Sequence, residues 1–165
     1  MGKRVLVGYA TGNGSTTGVA EAIGEALAER GFEVDVRLLD DRPSCADYDA
    51  FVLGSAINGG RWLPVAASYV EANAAALAQR PVAVFCVHGM NTGEGEKKRK
   101  KRLAYLDPVR ALITPVAEGY FAGAGPSGAD TSAFARLAFR TFGGDVEGDG
   151  RDWGAIRAWA AGLEV

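Results

Sequence analysis

Residues 3–18, Lys3-Arg4-Val5-Leu6-Val7-Gly8-Tyr9-Ala10-Thr11-Gly12-Asn13-Gly14-Ser15-Thr16-Thr17-Gly18, decide the fold through a change of pattern halfway along. Residues 3–9 (KRVLVGY) form a short valine-rich apolar run, the kind a parallel strand buried on both faces requires. Small and hydroxyl-bearing residues follow. Val19, Ile23 and Leu27, with Ala20, Ala22 and Ala26 beside them, then recur at helical spacing, while Glu21, Glu25 and Glu29 fall off that stripe. Gly31 suits the end of such a helix. A buried strand, a small-residue turn and an amphipathic helix make the first half of a strand–helix–strand unit.

The same alternation continues outward. Residues 32–39 (FEVDVRLL) alternate apolar with charged side chains before the turn-forming Asp40-Asp41-Arg42-Pro43, which predicts a second strand near a sheet edge. Residues 50–55 (AFVLGS) predict a third strand ending in small residues. A helix is expected over residues 63–79 with Pro64 in its first turn, and Pro81 introduces a fourth strand over residues 82–87. Leu103, Leu106, Val109 and Leu112 carry helical spacing, residues 113–121 supply a fifth strand, and residues 152–163 form a last helix with Trp153, Ile156, Trp159 and Leu163 on one face. Residues 123–150 are rich in Gly, Pro and Ser around a short helical patch at 131–142. About five strands alternating with helices call for a parallel sheet covered by helices on both faces.

At 165 residues the chain suits one domain with a real core. Its 48% hydrophobic and 23% charged residues are those of a globular protein, and no apolar run approaches the roughly 20 residues a bilayer span needs. The start, Met1-Gly2-Lys3-Arg4, lacks the apolar segment and cleavage site of a signal peptide, so a cytoplasmic protein is expected. Cys45 and Cys86 are spaced for neither a redox pair nor a zinc site, and the single histidine, His88, removes most metal centres and Ser/His/Asp arrangements. Any enzymatic chemistry is therefore expected to come from a cofactor.

In a doubly wound sheet, ligands bind beyond the carboxyl ends of the strands. After strand one, Thr11, Gly12, Asn13, Gly14, Ser15 and Thr16 offer hydroxyls, glycines and an amide with no charged side chain, at the point where a helix N-terminus presents free N–H groups. Such a loop is built to hold a phosphate without cationic side chains. Two other readings stand beside it. Ser15 or Thr16 could simply cap the helix, or Gly12-x-Gly14-x-x-x-Gly18 with Asp40 could be a dinucleotide-binding pattern. The cap needs one hydroxyl where residues 11–18 have four (Thr11, Ser15, Thr16 and Thr17), and the dinucleotide motif does not use a hydroxyl cluster. After strand three, Ser55, Ala56, Ile57, Asn58, Gly59, Gly60 and Trp62 combine flexible backbone with an aromatic that could accept a planar ring. After strand four, Val87, His88, Gly89 and Met90 complete three loops expected to meet at one edge. Trp62 reads equally as a packing residue, and His88 equally as a solvent-facing one.

Residues 9–16 (YATGNGST) resemble the FMN phosphate loop of the flavodoxin superfamily, in the spacing used by bacterial and archaeal flavodoxin-domain proteins. That group includes the menaquinone-dependent protoporphyrinogen dehydrogenases of haem synthesis. The resemblance continues through residues 47–57 (DYDAFVLGSAI), a long polar insertion after strand four and the ending at residues 147–153 (EGDGRDW), nearly the whole chain. It implies a three-layer sandwich on a five-stranded parallel sheet of order 2-1-3-4-5. It also implies FMN, with Thr11, Gly14, Ser15 and Thr16 on the phosphate and residues 55–60 and 87–90 flanking the ribityl chain and isoalloxazine. FMN is expected over FAD or NAD(P), because a hydroxyl-rich loop at a helix N-terminus suits a terminal phosphate monoester.

Two departures bear on function. Many relatives carry an aromatic where this chain has Asn58, which would leave a flavin face open to substrate. Electron-carrier flavodoxins are strongly acidic, whereas this chain has a formal charge of −2. An FMN oxidoreductase working on a small-molecule substrate with a quinone acceptor is therefore expected, the alternative being a non-enzymatic electron carrier. No side chain stands out as an acid or base. The run Lys97-Lys98-Arg99-Lys100-Lys101-Arg102 reads either as a solvated face or as a contact for anionic lipid at the inner face of the membrane or for an acidic substrate such as a porphyrin. Nucleic acid is not expected, since no aromatics interleave the charges.

Overall fold

The computed structural model describes residues 2–12, 14–89, 94–123 and 151–165. The described residues form β1 (Arg4–Ala10), α1 (Ser15–Glu29), β2 (Glu33–Leu38), β3 (Ala50–Asn58), β4 (Arg61–Trp62), α2 (Pro64–Leu77), β5 (Val82–His88), α3 (Glu96–Ala104), α4 (Asp107–Arg110), β6 (Ala117–Ala122) and α5 (Trp153–Ala161). β2, β1, β3, β5 and β6 lie side by side in that order, every neighbouring pair parallel. This is the expected 2-1-3-4-5 sheet. β4 is an addition that folds back antiparallel on the end of β3.

The pleat sends alternate side chains to opposite layers. Val5, Val7 and Tyr9 of β1 join Val52, Phe85 and Phe121 beneath α1 and α5. Leu6, Phe51, Leu53, Val84 and Cys86 face α2 and the Tyr105–Ile113 stretch. β1, β3 and β5 are buried on both faces, which is why they read as continuous apolar runs; β2, at the sheet edge, is only half-buried.

Several boundaries differ from expectation for local reasons. The apolar stripe Leu103–Leu112 is two helices, because Pro108 starts a new one and has no N–H to continue the old. Leu112 is exposed as a result. The fifth strand begins at Ala117, after Pro115, so residues 113–116 lead into it rather than pair as its first turn of ladder. In α5, Ile156 and Ala160 are buried, but Trp153 is 39% exposed and leaves the core stripe. The helical patch expected at 131–142 lies outside the described residues.

α4 is tied to β6 by a charged fork. Arg110 donates to both carboxylate oxygens of Glu118 at 2.6 Å and to the Tyr120 hydroxyl at 2.9 Å, and Tyr120 itself donates to Glu118. Hydrogen bonds from Arg110 hold the Glu118 carboxyl below its ordinary range. A depressed carboxylate stabilises the fold above its unfolded pKa, and that stability is lost as the pH falls through the folded value. Glu118→Ala is expected to cost about 2 kcal/mol at pH 7, since it strips a half-buried guanidinium of its best partner. The gap to wild type should close as unfolding is repeated towards pH 3. A gap that stays constant with pH would show that the fork contributes nothing electrostatic.

Candidate functional site

The carboxyl ends of β1, β3 and β5 form a single row, with Ala10 beside Ser55, Ala56 beside Val87, and His88 beside Ala122. The strand ends from which the three loops leave are thus neighbours along one edge of the sheet. At the first, Gly14 N–H donates to Thr11 Oγ1 at 2.9 Å and Thr17 N–H to the Gly14 carbonyl at 3.3 Å, closing a tight turn before α1. Gly14 has φ of 89°, a left-handed conformation that side chains resist, and it precedes the helix with no side-chain cap. The first turn of α1 therefore keeps donors for a ligand.

Thr16 decides what that ligand is. Its side chain is fully buried, yet Oγ1 has no hydrogen-bond partner. A buried hydroxyl without a partner costs about 1–3 kcal/mol, and this one lies at the positive end of a helix dipole beside an exposed, glycine-lined turn. It is an open acceptor and donor for a small polar group bound at the turn. The N-cap position itself is Gly14, which brings no capping side chain, and Thr16 Oγ1 makes no capping bond. Thr11, Gly12, Gly14, Ser15 and Thr16 thus form one cradle that fits the phosphate of FMN; Asn13 lies outside the described residues.

The second loop is not the flexible backbone expected. β3 runs on to Asn58 and turns through Gly59 and Gly60, both at positive φ (63° and 80°), into β4, so that Asn58 faces Arg61 and Ile57 faces Trp62. Two left-handed residues between paired strands make a tight hairpin that only glycines form cheaply. The pleat then divides the predicted residues. Ala56 and Asn58 follow Gly54 on the α1 side and remain with the cradle, whereas Ser55, Ile57 and Trp62 belong to the other layer. Ser55 Oγ donates to the Ala56 carbonyl at 2.8 Å and accepts from Leu63 N–H at 2.9 Å, a structural role. Trp62 is buried in the core cluster with Cys86, and its Nε1 has no hydrogen-bond partner there.

In the third loop, Val87 and Gly89 line the edge. His88 is not solvent-facing: it is buried at the end of β5, with its ring 5.5 Å from that of Tyr105. Met90 lies outside the described residues. Beside β6, His88, Arg99, Arg102, Tyr120 and Trp159 help to line an open cleft of about 530 Å³. The basic run thus belongs to α3, with Lys97–Lys101 exposed and Arg102 half-buried.

Three residues at the cradle were missed from sequence. Gly123 follows β6 and packs so closely that a Cβ there would stand 3.3 Å from Ser15 Oγ and 2.8 Å from Val87 Cγ1. Arg151 reaches the Ser15 carbonyl at 3.4 Å, and its guanidinium stacks on Trp153 at 4.7 Å. The loop supplies no cation of its own, but the fold brings one to it. The signal was Asp152, an N-cap accepting from Ala155 N–H at 3.0 Å, which fixes the direction of its two neighbours.

Acid–base groups are scarce. Burial pushes the Cys86 thiol up to about 12 and raises Tyr69, so neither ionises near neutrality. Among the described residues no cluster of His, Cys, Asp or Glu suits a metal ion, and no helix is long and apolar enough to cross a membrane.

A family model described as flavodoxin domain matches residues 6–126. Among solved structures, a short-chain flavodoxin associated with a non-canonical PDU bacterial microcompartment superposes with a TM-score of 0.59 at 15% identity, covering 98% of this chain and 96% of that one. A flavodoxin from the domain Archaea gives 0.53 at 21% identity, covering 83% and 94%. Rubredoxin oxygen:oxidoreductase from the anaerobe Desulfovibrio gigas gives 0.53 at 16% identity over 95% of this chain but 34% of that longer one. No curated protein sequence matches the chain.

Proposed function

We propose, from the premise that this chain belongs to the flavodoxin domain family, that it is an FMN-dependent oxidoreductase passing electrons from a reduced organic substrate to a quinone-type acceptor. Family membership implies FMN binding and flavin-based electron transfer. The observation that carries the reading is Thr16 Oγ1, buried and unpartnered in a turn that Gly14 leaves open. Bound FMN supplies a centre that accepts and releases electrons singly or in pairs.

The chain's own residues bind and orient. Thr11, Gly14, Ser15 and Thr16 hold the phosphate; Ala56, Asn58, Val87 and Gly89 stand at the adjoining strand ends where the ring would lie. Asn58 is exposed and presents an amide, so it leaves a ring face uncovered for a flat partner. The cleft beside β6 combines Arg99 and Arg102 with Tyr120 and Trp159, a lining suited to a carboxylate-bearing aromatic-forming substrate of the porphyrinogen class. No acid or base is assigned: the Cys86 thiol and the Tyr69 hydroxyl are raised by burial, and His88, at the cleft, is given no role.

A stopped-flow comparison tests the enzyme reading against a simple carrier. With FMN bound and reduced, menadione should reoxidise the flavin faster than oxygen does, and porphyrin fluorescence should appear when a porphyrinogen is the donor. A quinone stacked on an open ring takes two electrons in one encounter. Slow reoxidation by menadione in single-electron steps would instead assign the chain to the electron carriers.

A further inference from the structure

We infer that Arg151, braced on Trp153, is a phosphate-positioning residue that gives this chain its discrimination between phosphorylated and unphosphorylated flavin, an inference that rests on the FMN reading above. Its Nη1 lies 3.4 Å from the Ser15 carbonyl oxygen, 136 residues away in sequence. At that length the contact is weak as a hydrogen bond, and its main effect is electrostatic. The guanidinium carbon lies over the Trp153 ring, 4.7 Å from its centre. Both side chains converge on Gly18: a Cβ there would stand 3.0 Å from Arg151 Nη1 and 3.0 Å from Trp153 Cη2. A glycine inside a helix is less favourable than an alanine, and here its missing side chain is the seat of the pair.

The placement matters because the cradle supplies donors but no charge. A cation at the Ser15 carbonyl draws electron density across the Ser15–Thr16 peptide and strengthens the N–H of Thr16, the residue whose hydroxyl is buried and unpartnered. It also adds a full positive charge to the partial charge of the helix N-terminus. Both effects act on a phosphate dianion and neither acts on riboflavin, which ends in a hydroxyl. Trp153 explains the rigidity. At 39% exposed it contributes little to the core, and its partner is the guanidinium.

The test is a fluorescence-quenching titration of the whole chain with FMN and with riboflavin, at low and moderate salt, for wild type, Arg151→Gln and Arg151→Lys. Arg151→Gln should lose about tenfold in FMN affinity, the order expected for one partly exposed charge-assisted contact, with riboflavin affinity unchanged and the salt dependence of FMN binding flattened. Arg151→Lys, which keeps the charge, should recover most of the loss. Equal losses for both flavins, or an unchanged FMN affinity in Arg151→Gln, overturns the inference. The FMN reading fails separately, if wild type binds riboflavin as tightly as FMN.

Discussion

Thr16→Asp is expected to weaken FMN binding by two to three orders of magnitude, the largest single effect on the cofactor. The Thr16 side chain is fully buried at the first turn of α1. A carboxylate there would face a phosphate dianion at hydrogen-bonding range. Two unit charges about 4 Å apart repel by about 4 kcal/mol at the effective dielectric of a site near the surface, and tenfold in affinity corresponds to about 1.4 kcal/mol. Because a buried carboxylate could also harm folding, Thr16→Val separates the two effects. It keeps the shape and deletes an oxygen that has no partner in the protein alone. The apoprotein should therefore melt at the same temperature or slightly higher, while FMN affinity falls about tenfold for one lost charge-assisted hydrogen bond. Wild-type FMN affinity in both variants, read by flavin fluorescence, would remove the phosphate from this cradle.

The largest expected loss of stability comes from a residue that no ligand touches. Gly54, in the middle of β3, lies under the Phe85 ring: a Cβ there would stand 2.2–2.3 Å from three ring atoms. The ring has no room to retreat, being fully buried, with its centre 6.3 Å from that of Phe121 and 6.2 Å from that of Trp159. Gly54→Ala should cost about 3 kcal/mol, the upper range for overpacking a core, and lower the melting temperature by about 6–12 °C for a chain of this size. Phe85→Leu shortens the side chain beneath it. The double variant should therefore be more stable than the sum of the single losses allows, a favourable coupling of about 1 kcal/mol or more. A Gly54→Ala protein melting within a degree of wild type would mean that β3 and β5 can part without cost.

What sequence made legible follows a physical divide. Burial on both faces forces β1, β3 and β5 to be continuous apolar runs, and that continuity is visible in one dimension. The turn before α1 was equally legible, because its glycines and short hydroxyl side chains all lie within residues 11–16. The hairpin is local as well, since Asn58-Gly59-Gly60-Arg61 carries its own turn signal.

The rest was decided by tertiary structure. A period of two assigns alternate residues to opposite layers, but only the packed sheet tells which helices each layer meets; that is why Ser55, Ile57 and Trp62 fall on the α2 side of the sheet while Ala56 and Asn58 fall on the α1 side. His88 followed the same rule and is buried against Tyr105. Arg151 could not be found by pattern at all, because its meeting with Ser15 depends on α5 packing against α1 at the far end of the chain. The sequence by itself determined the alternation of strands and helices and the chemistry of the phosphate cradle, both products of near neighbours. Only the tertiary structure set the charge beside that cradle, since an electrostatic field is summed over space and not along the chain.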